Sequence, residues 1–87
     1  MIKKGYIYIE IPKSEIELYL IDITYDIKYD INIKKKNILI YKKVYNPNKV
    51  KKHIYNKFIE TKLLNNIFSC IKIKEIIYYI NNKIKQV

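Results

Sequence analysis

The segment Gly5-Tyr6-Ile7-Tyr8-Ile9-Glu10-Ile11 decides the fold, because after Gly5 it alternates tyrosine or glutamate with isoleucine over six residues. Successive side chains of a β-strand point to opposite faces, so this pattern predicts a strand with one apolar face and one polar, aromatic face. Pro12 ends the run, since proline donates no hydrogen bond to a neighbouring strand. A second β-branched and aromatic run extends from Ile16 to Thr24. With Pro12 to Glu15 as the connection, the two runs predict an antiparallel hairpin.

The stretch from Asp26 to Lys36 is ambiguous. Its apolar residues alternate as in a strand, whereas Asp26 followed by the Ile27 and Ile31 pair also suits a short capped helix. Periodicity alone predicts a strand. The next run, Asn37 to Tyr45, carries apolar residues on both faces and is therefore predicted to be a strand near the centre of the sheet.

Asn46-Pro47 predicts the start of a helix, because asparagine can cap the first free amides and proline suits the first helical position. The apolar stripe of this helix is predicted to be Val50, Ile54, Phe58 and Leu63. Asn65-Asn66 interrupts the pattern, and Ile67 to Ile71 is predicted to be a short strand or extended segment. A closing helix carries the stripe Ile73, Ile76, Ile77, Ile80 and Ile84. We therefore expect one α+β domain over residues 1–87, with a small antiparallel sheet of three or four strands flanked by two or three helices.

Eighteen lysines, no arginine and eight acidic residues give a net charge of +10. Isoleucine, lysine, tyrosine and asparagine fill 58 of the 87 positions, and all four have codons rich in A and T. Codon bias therefore weakens the usual inference from positive charge to nucleic-acid binding. The single Cys70 excludes an internal disulfide, and there is no apolar run of membrane-spanning length. We expect a soluble intracellular protein without membrane contact.

Few residues are available for catalysis. One histidine, one cysteine and two serines exclude a Ser-His-Asp arrangement and a multi-cysteine metal site, and no glycine-rich phosphate loop is present. His53 is predicted to lie on a helix surface, and Cys70 to be an inert core thiol. Asp22, Asp26 and Asp30 recur every fourth residue, but such carboxylates more often face solvent or pair with lysines such as Lys28 and Lys34. No cofactor and no metal site are predicted.

Basic clusters occur at Lys34-Lys35-Lys36, at Lys42-Lys43 and from Lys49 to Lys52, with tyrosines interleaved. Ammonium groups neutralise phosphates and aromatic rings stack on bases, so these clusters predict a surface that binds the phosphate backbone. Without arginine, the bidentate contact to guanine is weakened, and sequence-specific recognition is not expected. The alternative is that codon bias produced both the lysines and the tyrosines.

The motifs Gly5-Tyr6-Ile7-Tyr8-Ile9 and Tyr19-Leu20-Ile21-Asp22-Ile23-Thr24 resemble those of the GIY-YIG endonuclease superfamily, and especially its short phage and large-DNA-virus branch of DNA-binding domains. Members of that branch continue with a strand, a helix, a short aromatic strand and a closing helix, an order matched here by residues 38–45, 46–60, 67–71 and 74–84. The resemblance implies a small antiparallel sheet flanked by helices. It also implies that Asp26 to Lys36 contains the first helix, and on this point we follow the resemblance.

Transferred residue by residue, Tyr8 matches the tyrosine of the first motif, but four functional positions differ. The second-motif glycine falls at Asp22 and the following lysine at Ile23, while the helical arginine falls at Asp30 and the metal-binding glutamate near Lys51. The family's chemistry needs a carboxylate for the metal and a cation for the phosphate, so the charges at these positions are reversed. The resemblance therefore implies a site that does not bind metal in the usual way, and its discriminating feature is whether Tyr8, Asp22, Asp30 and Lys51 converge on one concave face.

The leading hypothesis is a catalytically inactive GIY-YIG-like module of viral, phage or other AT-rich-genome origin that binds nucleic acid, DNA rather than RNA, in the cytoplasm or nucleus of the host cell. A second hypothesis is a small viral or phage protein-interaction factor, either an inhibitor of a host or defence protein or a subunit of a larger assembly, which binds a protein partner or forms a homodimer. A third is an active nuclease with relocated ligands at Glu60, Asp22 and Asp26. For the first, the residues predicted to contact phosphate are Lys34, Lys35, Lys36, Lys42, Lys43, Lys51 and Lys52, and those predicted to stack on bases are Tyr8 and Tyr41.

Overall fold

A computed structural model describes residues 4–12 and 17–84. In chain order the described elements are β1 (Lys4–Glu10), β2 (Leu18–Thr24), α1 (Ile27–Asn32), β3 (Ile38–Tyr45), α2 (Pro47–Lys57), β4 (Lys62–Leu64), β5 (Ile67–Ser69) and α3 (Ile73–Asn82). Short 3-10 turns at Ile59–Thr61 and Cys70–Lys72 precede β4 and α3.

The described strands form one antiparallel sheet in the order β3-β1-β2-β5-β4, accompanied by three helices. The predicted α+β class is confirmed, and the sheet has five strands rather than three or four. The additional strand is β4, which pairs with β5 across the Asn65-Asn66 turn. Three residues are too few for an alternation to be recognised in the sequence. The β1–β2 pairing of the predicted hairpin is present, while residues 13–16 of its connection lie outside the described residues.

The two faces of the sheet differ in chemistry because alternate side chains point in opposite directions. Ile7, Ile9, Ile21 and Val44 are fully buried on one face, where they pack with apolar residues of the helices. The helical members of this core are Ile54, Phe58, Ile76 and Ile80. On the other face, Tyr8 lies between Asp22 of β2 and Tyr41 of β3, each directly opposite it in the register.

The segment after β2 is helical, so the strand predicted from periodicity is wrong and the helix implied by the resemblance is present. Asp26 caps α1, since its carboxylate accepts a hydrogen bond from the Tyr29 amide at 3.0 Å. This cap satisfies an amide that a helix otherwise leaves without a partner. Ile27 is buried and Ile33, beyond the helix, is largely exposed. The alternating isoleucines therefore do not share a face of the sheet.

β3 lies at the edge of the sheet, not near its centre as predicted. Its core-facing residues include Ile40 and Val44, whereas Leu39, Tyr41 and Tyr45 are exposed on the other face. The apolar and aromatic residues on the second face of β3 are therefore exposed to solvent, and their presence does not indicate that the strand is buried on both sides.

α2 begins at Pro47 as predicted, but Asn46 is in the left-handed region with φ of 45° and its side chain makes no capping hydrogen bond. The start of this helix packs against β1 at Gly5. A Cβ on Gly5 would lie 2.6 Å from Pro47 Cγ and 3.0 Å from the Thr24 carbonyl oxygen, so a side chain has no room there. Val50, Ile54 and Phe58 face the core as predicted. Leu63 does not, because it belongs to β4 and is exposed.

Candidate functional site

Tyr8 is the centre of a polar cluster on the face of the sheet opposite the core. Its side chain is buried, and its hydroxyl oxygen accepts a hydrogen bond of 2.9 Å from Lys36 Nζ. The same ammonium lies 5.1 Å from the centre of the Tyr8 ring and 3.8 Å from Asp30 Oδ1. Asp30 lies within α1 and Lys36 follows it, so this short helix positions both charged side chains close to Tyr8.

Asp22, directly opposite Tyr8 on β2, holds the other half of the cluster. Its Oδ2 accepts a hydrogen bond of 2.8 Å from Asn66 Nδ2, and its Oδ1 lies 3.4 Å from Lys51 Nζ. Asn66 belongs to the β4–β5 turn, and its carbonyl accepts a hydrogen bond of 2.9 Å from the Ile21 amide. The turn is thereby fixed to β2 beside Asp22.

Together these side chains form what we call the Tyr8–Asp22 network, which consists of Tyr8, Asp22, Asp30, Lys36, Lys51 and Asn66. The fold therefore brings Tyr8, Asp22, Asp30 and Lys51 into one contiguous cluster. Two carboxylates and two ammonium groups alternate within it, and each carboxylate has an ammonium within 4 Å. Lys36 and Asn66 could not be placed there from the sequence, because they reach the network only through the fold.

Burial and neighbouring charges determine the protonation states of Tyr8 and Lys36 in this network. Burial raises the pKa of Tyr8 above its ordinary value of 10.0 and outweighs the lowering by the Lys36 hydrogen bond and charge, while the Asp22 carboxylate makes a smaller contribution that also raises it. For Lys36, burial lowers the pKa, but the hydrogen bond with Tyr8 and the Asp30 charge outweigh it and the net pKa is raised. At neutral pH the network therefore presents a neutral phenol and a charged ammonium.

A shallow open pocket of about 410 Å³ adjoins the network between α2 and the β4–β5 turn. Lys51 and Lys62 both contribute to it, and each ammonium lies 5.6 Å from the centre of the Tyr55 ring. The Tyr55 hydroxyl donates a hydrogen bond to the Ile21 carbonyl. Burial and the Asp22 charge raise the pKa of Tyr55, so this hydroxyl remains a donor at neutral pH.

The lysines predicted to contact phosphate occupy three kinds of position. Lys36 and Lys51 are partly exposed and belong to the Tyr8–Asp22 network. Those exposed to solvent are Lys34, Lys35, Lys43 and Lys52.

Lys42 is buried, and its position is incompatible with the predicted phosphate contact. Its Nζ donates hydrogen bonds to the carbonyl oxygens of Ile80 at 3.0 Å, Asn81 at 3.1 Å and Ile84 at 2.8 Å. An ammonium has three donors, so none is left for a ligand. The burial of Lys42 could have been inferred from the sequence, because the alternation of side chains along β3 places Lys42 on the same face as Ile40 and Val44.

The two tyrosines predicted to stack on bases also differ. Tyr8 is only 2% exposed and its ring is covered by Lys36, so its burial is incompatible with base stacking. Tyr41 is 51% exposed, and the Tyr6 ring contacts it edge to face at a centroid distance of 5.9 Å. Tyr41 thus retains an accessible ring.

The carboxylates considered as relocated metal ligands serve other purposes. Asp26 caps α1, Glu60 lies 3.4 Å from Lys72, and Asp22 is bound to Lys51 and Asn66. Among residues 4–12 and 17–84 no group of three or more histidine, cysteine, aspartate or glutamate side chains is positioned to hold a metal ion. His53 stacks on Tyr79 at the helix surface, and Cys70 is half-buried.

Comparison of the chain with protein-family models, with curated proteins and with solved structures finds no match. Within the described part of the chain, no helix is long and apolar enough to cross a bilayer.

Proposed function

We propose that this chain is a catalytically inactive, GIY-YIG-like module, of viral, phage or other AT-rich-genome origin, that binds the phosphate backbone of nucleic acid through lysines. The observation that carries the proposal is the Tyr8–Asp22 network, in which Tyr8 lies together with three of the four substituted positions, Asp22, Asp30 and Lys51. Lys34 and Lys35, which directly precede Lys36 in the chain, and Lys43, two residues from Tyr41 on β3, are exposed to solvent. The resemblance favours DNA over RNA as the partner.

The charges in the network argue against phosphodiester cleavage. The family's reaction requires a carboxylate that holds a divalent cation near the scissile phosphate. Here the Lys51 ammonium stands 3.4 Å from Asp22 Oδ1 and repels a second cation, while Asp30 is buried against Lys36. The same ammonium groups attract a phosphate, so binding is compatible with this arrangement and metal-assisted hydrolysis is not.

Salt dependence of binding tests the proposal directly. If about five phosphates are neutralised, the logarithm of the affinity for a DNA duplex should fall against the logarithm of salt concentration with a slope of roughly −4 to −5. Replacing Lys34, Lys35 and Lys43 together with glutamine should reduce that slope by roughly 2 to 3. Lys74→Gln, an exposed substitution on α3, is the matched control and should leave the slope nearly unchanged. A flat salt response of the native chain would contradict the proposal.

A nicking assay tests the absence of catalysis separately. Supercoiled plasmid incubated with the protein and magnesium or manganese should remain intact. Nicking that disappears in an Asp22→Ala variant would show instead an active nuclease that uses relocated ligands.

A protein-interaction role is the second candidate, and a specific feature favours it. The 3-10 turns and β4 carry exposed apolar side chains with relative exposures between 56% and 81%, namely Ile59, Leu63, Leu64 and Ile71. Exposed apolar residues in proximity are typical of interaction surfaces. Light scattering that shows a stable homodimer or a tight protein complex, together with no shift of DNA or RNA, would favour this role over nucleic-acid binding.

A further inference from the structure

The polar face of β1 and β3 carries tyrosine and lysine in a fixed alternation. The register places Lys4 opposite Tyr45, Tyr6 opposite Lys43 and Tyr8 opposite Tyr41. Because directly opposite residues of antiparallel strands share a face, each of the first two rows contributes one ring and one ammonium group to the same surface. We call Lys4, Tyr6, Tyr41, Lys43 and Tyr45 the lysine–tyrosine surface.

The rings of this surface are accessible and held in place. Tyr41 is 51% exposed and Tyr45 is 47% exposed. Tyr6 supports Tyr41 by an edge-to-face contact, and Lys4 Nζ lies 5.5 Å from the centre of the Tyr45 ring. Tyr41 and Tyr45 are four residues apart on one strand, which corresponds to about 13.6 Å, and Lys43 lies between them on the same face.

This arrangement distinguishes between forms of nucleic acid. In a duplex, neighbouring bases cover each other's faces, so a protein ring can stack only on a base that is unpaired and unstacked. Proteins that bind single strands combine rings that stack on bases with positive charges that follow the phosphates. The lysine–tyrosine surface has both components, interleaved at the spacing of alternate residues. Codon bias accounts for the abundance of tyrosine and lysine, but it does not require them to alternate across two paired strands on an exposed face.

Charge on the surrounding face fits the same ligand. Lys36, over the Tyr8 ring, is paired with Asp30, so the positive charge beside the exposed rings comes from Lys4 and Lys43. Within β1 the acidic residue on this face is Glu10, which lies at the end of the strand opposite to Lys4. The part of the face that carries the exposed rings is therefore positive.

We propose that the lysine–tyrosine surface binds single-stranded nucleic acid, with bases stacked on Tyr41 and Tyr45 and phosphates held by Lys4 and Lys43. The inference rests on the proposed nucleic-acid binding and specifies its form. It predicts a preference for unpaired strands that backbone binding by lysines alone would not give.

The test compares a fluorescently labelled thymidine oligonucleotide with a duplex of the same length, by anisotropy at one salt concentration. The native chain should bind the single strand more tightly. Tyr41→Leu combined with Tyr45→Leu should weaken single-strand binding at least about tenfold and leave duplex binding nearly unchanged. Tyr41→Phe combined with Tyr45→Phe should retain single-strand binding, because phenylalanine keeps the ring. Tyr78→Leu, an exposed substitution on α3, is the control and should change neither affinity.

Each other outcome overturns the inference. Equal affinity for both forms, an unaffected leucine double variant, or equal losses in the phenylalanine and leucine variants would each exclude stacking on these rings. If the native chain binds duplex with the expected salt slope but shows no preference for single strands, this inference fails and the proposed function stands. If it binds neither form, both fail. Urea unfolding of each variant establishes that the compared proteins are folded.

Discussion

Replacing Lys42 with methionine should destabilise the protein without weakening its binding to nucleic acid. Methionine keeps most of the apolar stem of lysine and removes the ammonium. The loss affects the carboxyl end of α3, where Lys42 Nζ donates to the carbonyl oxygens of Ile80, Asn81 and Ile84. Ile80 and Asn81 belong to the last turn of α3, where carbonyl oxygens lack a partner within the helix and carry the negative end of its dipole, and Ile84 follows the helix.

The magnitude follows from which of these carbonyl groups water can reach. The hydrogen bond to Ile80 is buried, whereas those to Asn81 and Ile84 are partly buried and can be replaced by water. One buried carbonyl without a partner costs about 1–3 kcal/mol, and loss of a cation at a helix carboxyl end costs about 0.3–2 kcal/mol. The methionine variant recovers part of this free energy of unfolding, because it does not have to bury a charge. Since all three donors of Lys42 are satisfied, the lost interactions should outweigh this gain, leaving a net loss of about 2–4 kcal/mol.

Urea unfolding at neutral pH measures this loss, and thermal unfolding should show a Tm at least about 8 °C lower. Lys43→Met is the matched control, because Lys43 is the next residue on the same strand and is exposed. Its free energy of unfolding should change by less than about 0.5 kcal/mol, while its affinity for DNA should fall. Equal stability of Lys42→Met and Lys43→Met, or an increase for Lys42→Met, would refute the reasoning.

Three further predictions concern other parts of the structure and are tested by urea unfolding. Gly5→Ala should destabilise the fold by about 1–3 kcal/mol, because the added Cβ meets a proline ring and a backbone carbonyl; unchanged stability would show that α2 shifts without strain. Burial raises the pKa of Tyr8 and Tyr55, and contacts with Tyr8 and Asp30 raise that of Lys36, so the folded state retains protons that the unfolded state loses. Stability should therefore be complete below about pH 10 and decline above it, less steeply when Tyr8 and Tyr55 are both phenylalanine. Lys36→Met should cost about 1–3 kcal/mol, less than the 3–5 kcal/mol known for fully buried pairs, because Lys36 is partly exposed. A second change, Asp30→Asn, should recover most of that loss, and no recovery would show that the ion pair is not the cause.

The sequence was informative wherever one local pattern dominated. The alternation in residues 5–11 and the Asn46-Pro47 signal correctly located β1 and the start of α2. α1 shows the limit of such patterns, because its alternating isoleucines favour a strand while a single capping hydrogen bond, accepted by the Asp26 carboxylate, favours the helix that forms. The position of β3 at the edge could not be predicted, since strand order depends on pairing partners that are remote in sequence.

The candidate site was predictable to a similar extent. Tyr8, Asp22, Asp30 and Lys51 were located by matching short motifs, and they do lie together. Lys36 and Asn66 were not assigned to this site, because a lysine in a basic run and an asparagine in a turn carry no sign of the carboxylate or hydroxyl that they bind.

The lysines of this chain show why a net charge of +10 is a poor measure of binding surface. Lys42 is hydrogen-bonded to carbonyl oxygens at the carboxyl end of α3, while Lys36 and Lys51 each neutralise a carboxylate within the fold. A lysine that already has a carboxylate partner adds less to phosphate binding than an exposed one, because it must exchange one anion for another. For the proposed binding of nucleic acid, charge counting therefore overestimates the number of phosphates, and the salt slope expected from exposed lysines such as Lys43 is the better measure. If Lys36 and Lys51 were to contribute as fully as Lys43 to that slope, their carboxylate contacts would have to open on binding, and the Tyr8–Asp22 network would be part of the interface and not only its support.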